Sequence, residues 1–482
     1  MSTSADSIVN ESSFEQTHTT EVPVPKYSYY ALAVLTLVNF LNYIDRQILP
    51  TVATQMAADL KLSDTEIGMM EAVLLLSFTV LAPLFGRLGD RYSRTRIMAT
   101  AAIIWSVATA LTGIADKFPS IFPALSFTVP IIRLTLALSS VAVMLCLIRT
   151  IVGVGESSYT TITPSLLADY FPARKRGTAL GVFQAAIPLG FALGYVIGAV
   201  LAHYFGWRRA FMIVGVPGII AALLVWKLKE PVRGTQDFDP HTGQSLAKDP
   251  EATINQESFL KTSWKILTTR DWIVSTAGYT ALTFVLGAFA TWAIIMLQRE
   301  KGMSETKAGI TLGLVVLTAG AIGTFGGGWL ADKVASKREN AYYLVCAFSC
   351  LLGIFPTFVP LITNNPYIYI PAMFLSVMFL FLNNAPFHAI LLGSVSPMVR
   401  ATAIALNIVI IHICGDVISR FGVGVLSDSL KQGKLSLIAS AASALGINPT
   451  EQHLTAALLV APLSLIVATT LFFYGAQKTS SK

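Results

Sequence analysis

Charge is what this 482-residue sequence has least of: Asp, Glu, Lys and Arg make up 13 % of it, where soluble chains carry about 25 %. With 54 % hydrophobic residues and a mean hydropathy of +0.64, that shortfall excludes an ordinary soluble protein. Cysteine is scarce as well. The four present (Cys146, Cys346, Cys350, Cys414) all fall inside apolar runs, and no CxxC occurs. This leaves no disulfide framework or thiolate metal site, since a buried free thiol behaves as a small apolar group. No HxxxxD pair, HExxH helix or GxSxG turn is present, so the chain is not expected to be an enzyme acting on lipid. No secretory signal is expected either: the first 25 residues are polar, Ser/Thr-rich and acidic, which reads as a disordered tail.

Long apolar runs are what the sequence has. A bilayer-spanning helix needs about 20 predominantly apolar residues, and twelve such runs can be marked, from 27–49 and 65–85 through 177–204, 209–228 and 271–297 to 452–476. They predict an all-α membrane protein of twelve transmembrane helices in two pseudo-symmetric six-helix bundles. Residues 1–26 form a cytoplasmic tail, 27–228 the first bundle, 229–270 a Pro- and Gly-containing linker with one surface helix, 271–476 the second bundle, and 477–482 a short tail. The formal net charge of +7 does not call for a nucleic-acid partner. Lys and Arg crowd, by roughly two to one, into the loops on the side that holds both termini, which places those termini in the cytoplasm. A Pro-rich segment at 116–136 lies on the other side and reads as an outer loop or a short re-entrant piece.

The two halves repeat one charged motif. Gly86-Arg87-Leu88-Gly89-Asp90-Arg91-Tyr92-Ser93-Arg94-Thr95-Arg96 is matched by Gly328-Trp329-Leu330-Ala331-Asp332-Lys333-Val334-Ala335-Ser336-Lys337-Arg338. Gly86 pairs with Gly328, Asp90 with Asp332, Arg91 with Lys333 and Arg96 with Arg338, each 242 residues apart. Duplicated bundles that rock about a midplane site are how many secondary transporters are built. In that setting Asp90 can meet a helix N-terminus and a neighbouring Arg, a latch that shuts the cytoplasmic side, and Asp332 and Lys333 would do the same in the second half. Small residues mark close helix approaches: Gly190, Gly194 and Gly198 repeat every four residues, a face for tight packing and in a carrier also a sliding surface.

Charges inside the spans point to a site, because each costs several kcal/mol in hydrocarbon unless paired or hydrated. The first span carries Asn39, Asn42, Asp45 and Arg46, with Asn39, Asn42 and Arg46 on one face. The fourth carries Arg149 and Glu156, seven residues apart and pointing the same way. Together these spans are expected to supply two acids and two bases to one polar patch. A carboxyl in a low dielectric holds its proton more tightly and a nearby Arg loosens it, so small movements switch protonation, while a permanently charged Arg holds a phosphate or carboxylate. The alternative is a set of static salt bridges, which stabilise little. In the eleventh span His412, Asp416 and Arg420 stand four apart. His412–Asp416 suits a proton relay and Asp416–Arg420 an internal pair, while two ligands on one helix do not make a metal site. Tyr159 is read as part of an aromatic cavity wall.

These residues carry a resemblance. Gly86–Arg96 resembles the signature loop of the major facilitator superfamily. The runs Asn39–Arg46, Leu81–Tyr92, Arg149 with Val152–Tyr159, and His412–Asp416 are similar to the Spinster family within it. The resemblance implies the major facilitator fold and alternating-access, proton-coupled transport of lysolipid-type amphiphiles such as sphingosine phosphate. Asp45, Arg46, Arg149 and Glu156 would be the cavity charges, and a proton gradient rather than a cofactor the driving force. It implies a monomer in a bacterial inner membrane, with the bilayer, an amphipathic small molecule and protons as partners. Arg420 departs from the family, whose members carry Pro there. A proton-linked drug-efflux or small organic-anion carrier of the same superfamily is the alternative.

Overall fold

The computed structural model describes residues 24–117, 123–129, 134–233, 259–396 and 399–479. Residues 1–23 of the expected 1–26 tail, most of the linker and the last three residues lie outside that set, and the expected tail ends inside α1, which begins at Lys26. Apolar runs between polar breaks become long helices: α1 Lys26–Leu60, α2 Asp64–Arg91, α3 Arg94–Thr112, α4 Ser140–Tyr170 and α5 Ala173–Trp226. The second half continues with α6 Phe259–Thr268, α7 Arg270–Arg299, α8 Glu305–Ala335, α9 Ala341–Ile362, α10 Pro366–Phe381 and α11 Asn384–Gly393. It ends with α12 Arg400–Ile410, a π-helical segment Ile411–Val417, α13 Ile418–Lys431, α14 Ser436–Ala444, α15 His453–Leu458 and α16 Val460–Thr479.

Among the described residues, ten helical stretches are long and apolar enough to cross a membrane. One of them, within α5, folds back at Gly206 (φ 76°, ψ 162°), a left-handed backbone that favours glycine, so it makes two crossings. With α1, which its Asn39, Asn42, Asp45 and Arg46 leave too polar to qualify, the crossings among the described residues number twelve. The protein is an integral, multi-pass membrane protein.

Helix starts follow local chemistry. At α2 the Ser63 hydroxyl accepts from the Glu66 N–H (3.2 Å) while the Glu66 carboxylate accepts from the Ser63 N–H (2.8 Å), a reciprocal capping box. The expected loop at 116–136 is instead partly strand. β1 Leu125–Val129 pairs antiparallel with β2 Leu134–Leu138, with Leu125 opposite Leu138, Phe127 opposite Leu136 and Val129 opposite Leu134. We call the end bearing this pair the hairpin face and the end where α1 begins the termini face.

The glycine stripe Gly190–Gly194–Gly198 lies against α1: a Cβ on Gly190 would sit 2.6 Å from the Tyr43 Cβ, and one on Gly194 2.7 Å from the Gln47 Cβ. It therefore packs one half together and is not a surface on which the halves slide. Between the halves, Gly313 of α8 abuts the Ala192 carbonyl of α5 (2.6 Å from an added Cβ), and Gly309 meets Tyr195 and Ala199.

Candidate functional site

The charges of α1 and α4 take separate hydrogen-bond partners but stay within electrostatic reach of one another. Arg46 donates from Nε to Glu156 Oε2 at 2.7 Å, and its guanidinium lies over the rings of Tyr43 (5.0 Å) and Phe78 (4.7 Å). Glu156 is wholly buried. Asp45, next along α1, turns the other way and accepts from the Thr109 hydroxyl of α3 at 2.6 Å. Arg149 is 1 % exposed and reaches neither of these: its Nη2 donates to Glu71 Oε1 of α2 at 2.9 Å.

Glu71 was not among the expected site residues, and it is the hub. Its second oxygen accepts from Arg420 Nη1 of α13 at 2.6 Å, and Arg420 also donates to the Thr291 hydroxyl of α7 at 3.1 Å. The expected Asp416–Arg420 pair is therefore not formed. Residues 411–417 take the wider π-helical turn, which alters the angular spacing that the four-residue rule assumes. Within that segment His412 Nδ1 and Asp416 Oδ2 do pair, at 2.6 Å, and the imidazole stands edge-on to Phe78 of the other half (6.3 Å). A lone carboxylate in the apolar run of α2 is the signal that would have marked Glu71 in the sequence.

The remaining expected site residues serve packing in this state. The Tyr159 hydroxyl donates to the Leu35 carbonyl, and its ring packs against Trp105 and Phe183. The side chain is fully buried, so it ties α4 to α1 and does not line a cavity. Asn39 donates to the Phe183 carbonyl of α5 at 3.0 Å, and Asn42 is buried with neither side-chain atom hydrogen-bonded.

A seam between α2 and α12–α13 orders these contacts by depth. At the hairpin face Asp428 accepts from the backbone N–H groups of Asp64 (3.2 Å) and Thr65 (2.7 Å) and from the Thr65 hydroxyl (2.6 Å). It thus caps α2 from the other half. Asp64 meanwhile takes Arg299 at 2.6 Å and the Ser427 hydroxyl at 2.7 Å. One turn deeper Gly68 lies against the Arg420 backbone, 2.6 Å from an added Cβ to the carbonyl, and Gly424 against Asp64. Glu71–Arg420 comes next and Phe78–His412 last. Beside the seam, Thr54 donates to Gln298 (2.5 Å) and Gln55 to Glu305 (2.7 Å). Among the described residues no hydrogen bond or ion pair joins the halves between that last level and the termini face. The molecule is closed at the hairpin face and open at the other.

The repeated motif sits at the open face. Asp90, Arg91 and Arg96 are exposed and Gly86 is half-buried. Asp332 accepts from the Tyr342 hydroxyl at 3.3 Å, and Lys333 lies 4.7 Å over the Trp329 ring. No described residue of the second half bonds to Asp90. The buried charge of this loop is Arg94, which donates to Asp169 (2.5 Å) and Glu230 (3.2 Å). Glu230 also accepts from the Ser93 hydroxyl (2.5 Å) and the Arg94 N–H (2.9 Å). Burial pushes the Glu230 carboxyl up, but these Ser93 and Arg94 hydrogen bonds outweigh it and hold it below the ordinary carboxylate range.

Residues 35–415 match the family model of the Major Facilitator Superfamily. The chain is 32 % identical over 420 residues to protein spinster homolog 3 of Danio rerio, across 84 % of this chain and 78 % of that protein. It is 30 % identical over 418 residues to the sphingosine-1-phosphate transporter SPNS2 of the same fish, across 83 % and 76 %. Against the Drosophila melanogaster protein spinster it is 30 % identical and spans 84 % of this chain but only 63 % of that longer protein. In structure it is similar to a bacterial homolog of the human lysosomal transporter Spinster, solved inward-facing and unoccupied. The TM-score is 0.76 at 21 % identity, over 95 % of this chain and 98 % of that one.

Proposed function

Because the chain belongs to the major facilitator superfamily and, within it, to the Spinster proteins, we propose that this transporter moves an amphipathic, phosphate-bearing molecule of the lysolipid or sphingosine-phosphate type by proton-coupled alternating access. It is a transporter and not an enzyme; the substrate and the coupling are the proposal. The observation that carries it is the mid-membrane layer of arginines. Arg149 and Arg420, both buried, and the half-buried Arg46 would offer charge-assisted donors to an anionic head group at the closed end of a space open to the termini face. The aromatic rings of Tyr43 and Phe78 over Arg46 give the same place apolar surface for a chain. Relatives with a sphingosine-1-phosphate transporter among them support that substrate class.

Glu156 is the proposed proton carrier: it is wholly buried, and its one hydrogen-bond partner is the Arg46 guanidinium. A head group that draws Arg46 away leaves the carboxylate to a proton, and the return of Arg46 releases it. Closure of the termini face continues the seam already built. On α2 and α12–α13 the paired positions run 64/428, 71/420 and 78/412, so the next turns set Asp90 against the α12 N-terminus at Arg400. A carboxylate at that positive helix end is favourable, which is the latch role expected of the loop. We place the termini face in the cytoplasm of a bacterial inner membrane, following the excess of Lys and Arg there, and take the working unit as a monomer.

The test is uptake of a labelled lysophospholipid into proteoliposomes with and without an imposed pH gradient. Gradient-dependent flux in the wild type, lost in Glu156→Gln while the variant remains folded, is expected. No flux of lysophospholipid or sphingosine phosphate by a folded preparation would sink the substrate assignment and turn attention to drug efflux or small organic anions. Undiminished uphill flux in Glu156→Gln would remove Glu156 from the coupling.

A further inference from the structure

Arg420 serves the charge cluster of the half to which it does not belong. Near mid-membrane the first half holds two cations, the half-buried Arg46 and the buried Arg149, against three buried carboxylates, Asp45, Glu71 and Glu156. Arg420 arrives from α13 as the third cation and brings the cluster to balance. The division of labour on Glu71 is clean: Oε1 takes Arg149 of its own half and Oε2 takes Arg420 of the other. A guanidinium does not give up its proton in a protein, so Arg420 can neutralise Glu71 only by being there.

Its place depends on the seam. Gly68 brings α2 against the Arg420 backbone, so parting α2 from α13 at the hairpin face withdraws the guanidinium. What remains is two cations facing three carboxylates in a low dielectric, an arrangement disfavoured until a positive charge restores balance. We propose that Glu71 is a binding site for a coupling cation, a proton or an alkali ion, which Arg420 fills when the hairpin face is closed and vacates when it opens. Closure then expels the cation, one charge for one charge. This rests on the alternating-access reading and adds to it a second coupling carboxylate, distinct from Glu156.

Other charges bear on Glu71. Arg149 and Arg420 touch it, and Thr291 of α7 holds Arg420. Arg46, Glu156 and the Tyr195 hydroxyl are within electrostatic reach. Asp45 stands beyond Arg149 and Glu156, and His412–Asp416 lies at the next level of the seam. The experiment must therefore separate Glu71 from these neighbours.

The exposed Lys61 and Lys434 flank the hairpin face from the two halves. Lys61→Cys and Lys434→Cys can carry spin labels in the full chain, with the four native cysteines replaced by Ala, in lipid nanodiscs. Distance distributions then give the ratio of open to closed hairpin face. One series varies pH without sodium, and another varies NaCl against choline chloride at fixed pH, so proton and alkali ion are told apart. In the wild type the ratio should rise by up to about tenfold per pH unit lowered, or per decade of sodium, the limit for one bound cation. Glu71→Gln, a permanently neutral site, should be more open and lose that dependence. Arg420→Gln should lose it too, and Arg420→Lys should keep it.

An unchanged slope in Glu71→Gln, or equal loss in Arg420→Lys and Arg420→Gln, would overturn the proposal. A wild-type face that opens without regard to either cation would do the same. A face that never opens in any variant, Asp428→Ala included, would overturn the alternating-access reading and this inference with it.

Discussion

Replacing Asp428 by Ala should shift the conformational balance of the protein far more than its stability. The carboxylate makes three hydrogen bonds, at 3.2, 2.7 and 2.6 Å, all to Asp64 and Thr65 of the other half. Hydrogen bonds to a charged group are each worth about 1.5–3 kcal/mol, and losing a helix cap costs about 0.5–2 kcal/mol. Asp428 is only half-buried, so water takes over part of this, and a net loss of about 2 kcal/mol is reasonable. At 1.4 kcal/mol per tenfold, that is roughly a thirtyfold rise in the open-to-closed ratio of the hairpin face. Neither half loses an internal contact, so thermal unfolding should barely move. The assay is the rate at which a cysteine placed at the exposed Lys61 or at a buried seam position such as Thr65 reacts with a membrane-impermeant maleimide. A buried-position rate unchanged from wild type would refute the claim that this cap holds the face shut. A large fall in unfolding temperature with no change in rate would show instead that Asp428 supports one half from within.

Three further outcomes follow from the geometry. Gly194→Ala places a methyl 2.7 Å from the Gln47 Cβ and 3.0 Å from the Ile44 carbonyl; overpacking of this kind costs about 1–3 kcal/mol. Thermal unfolding should fall accordingly, and an unaltered midpoint would show that α1 and α5 can part cheaply. Because the folded Glu230 carboxyl is held below its ordinary range, its contribution is full above the unfolded value of about 4.3 and fades as pH drops through the lower folded value. Backbone hydrogen exchange at Arg94–Ile97 should therefore quicken below about pH 4, a step that Glu230→Gln should abolish; the same acid step in that variant would count against the network. Asp90→Asn should slow turnover and raise reactivity from the termini face, and equal turnover with equal reactivity would contradict the latch.

Much of the architecture was legible because lipid imposes a simple rule on sequence. Twenty-residue apolar runs must become helices that satisfy their own backbone, and the duplicated Gly86–Arg96 loop declared the two halves. The Arg46–Glu156 pairing could be anticipated as charges of opposite sign on adjacent spans. What could not be read were partners chosen across hundreds of positions. Arg420 looks equally suited to Asp416 four residues before it and to Glu71 on another helix, and only the path of α13 against α2 decides. The aromatic ring of Tyr159 reads as cavity wall, yet it is buried and its hydroxyl is spent on the Leu35 carbonyl inside the half. The hairpin has its own signature, since Leu125, Phe127, Val129 and Leu134, Leu136, Leu138 alternate with smaller or polar residues at period two, a pattern obscured by the prolines around it.

The π-helical turn at Ile411–Val417 has a bearing on how this protein can tolerate change in length. Such a turn holds more residues than the α-helix on either side of it, and it carries His412 and precedes Arg420. Removing one residue there would let the segment wind as ordinary α-helix and absorb most of the loss, so that Arg420, Gly424 and Asp428 keep close to their present side. A single deletion in the regular helix at 418–419 has no such slack and turns everything beyond it by about 100°. That one change would cancel the balancing charge, the close glycine contact and the cap in a single event, although it touches none of them.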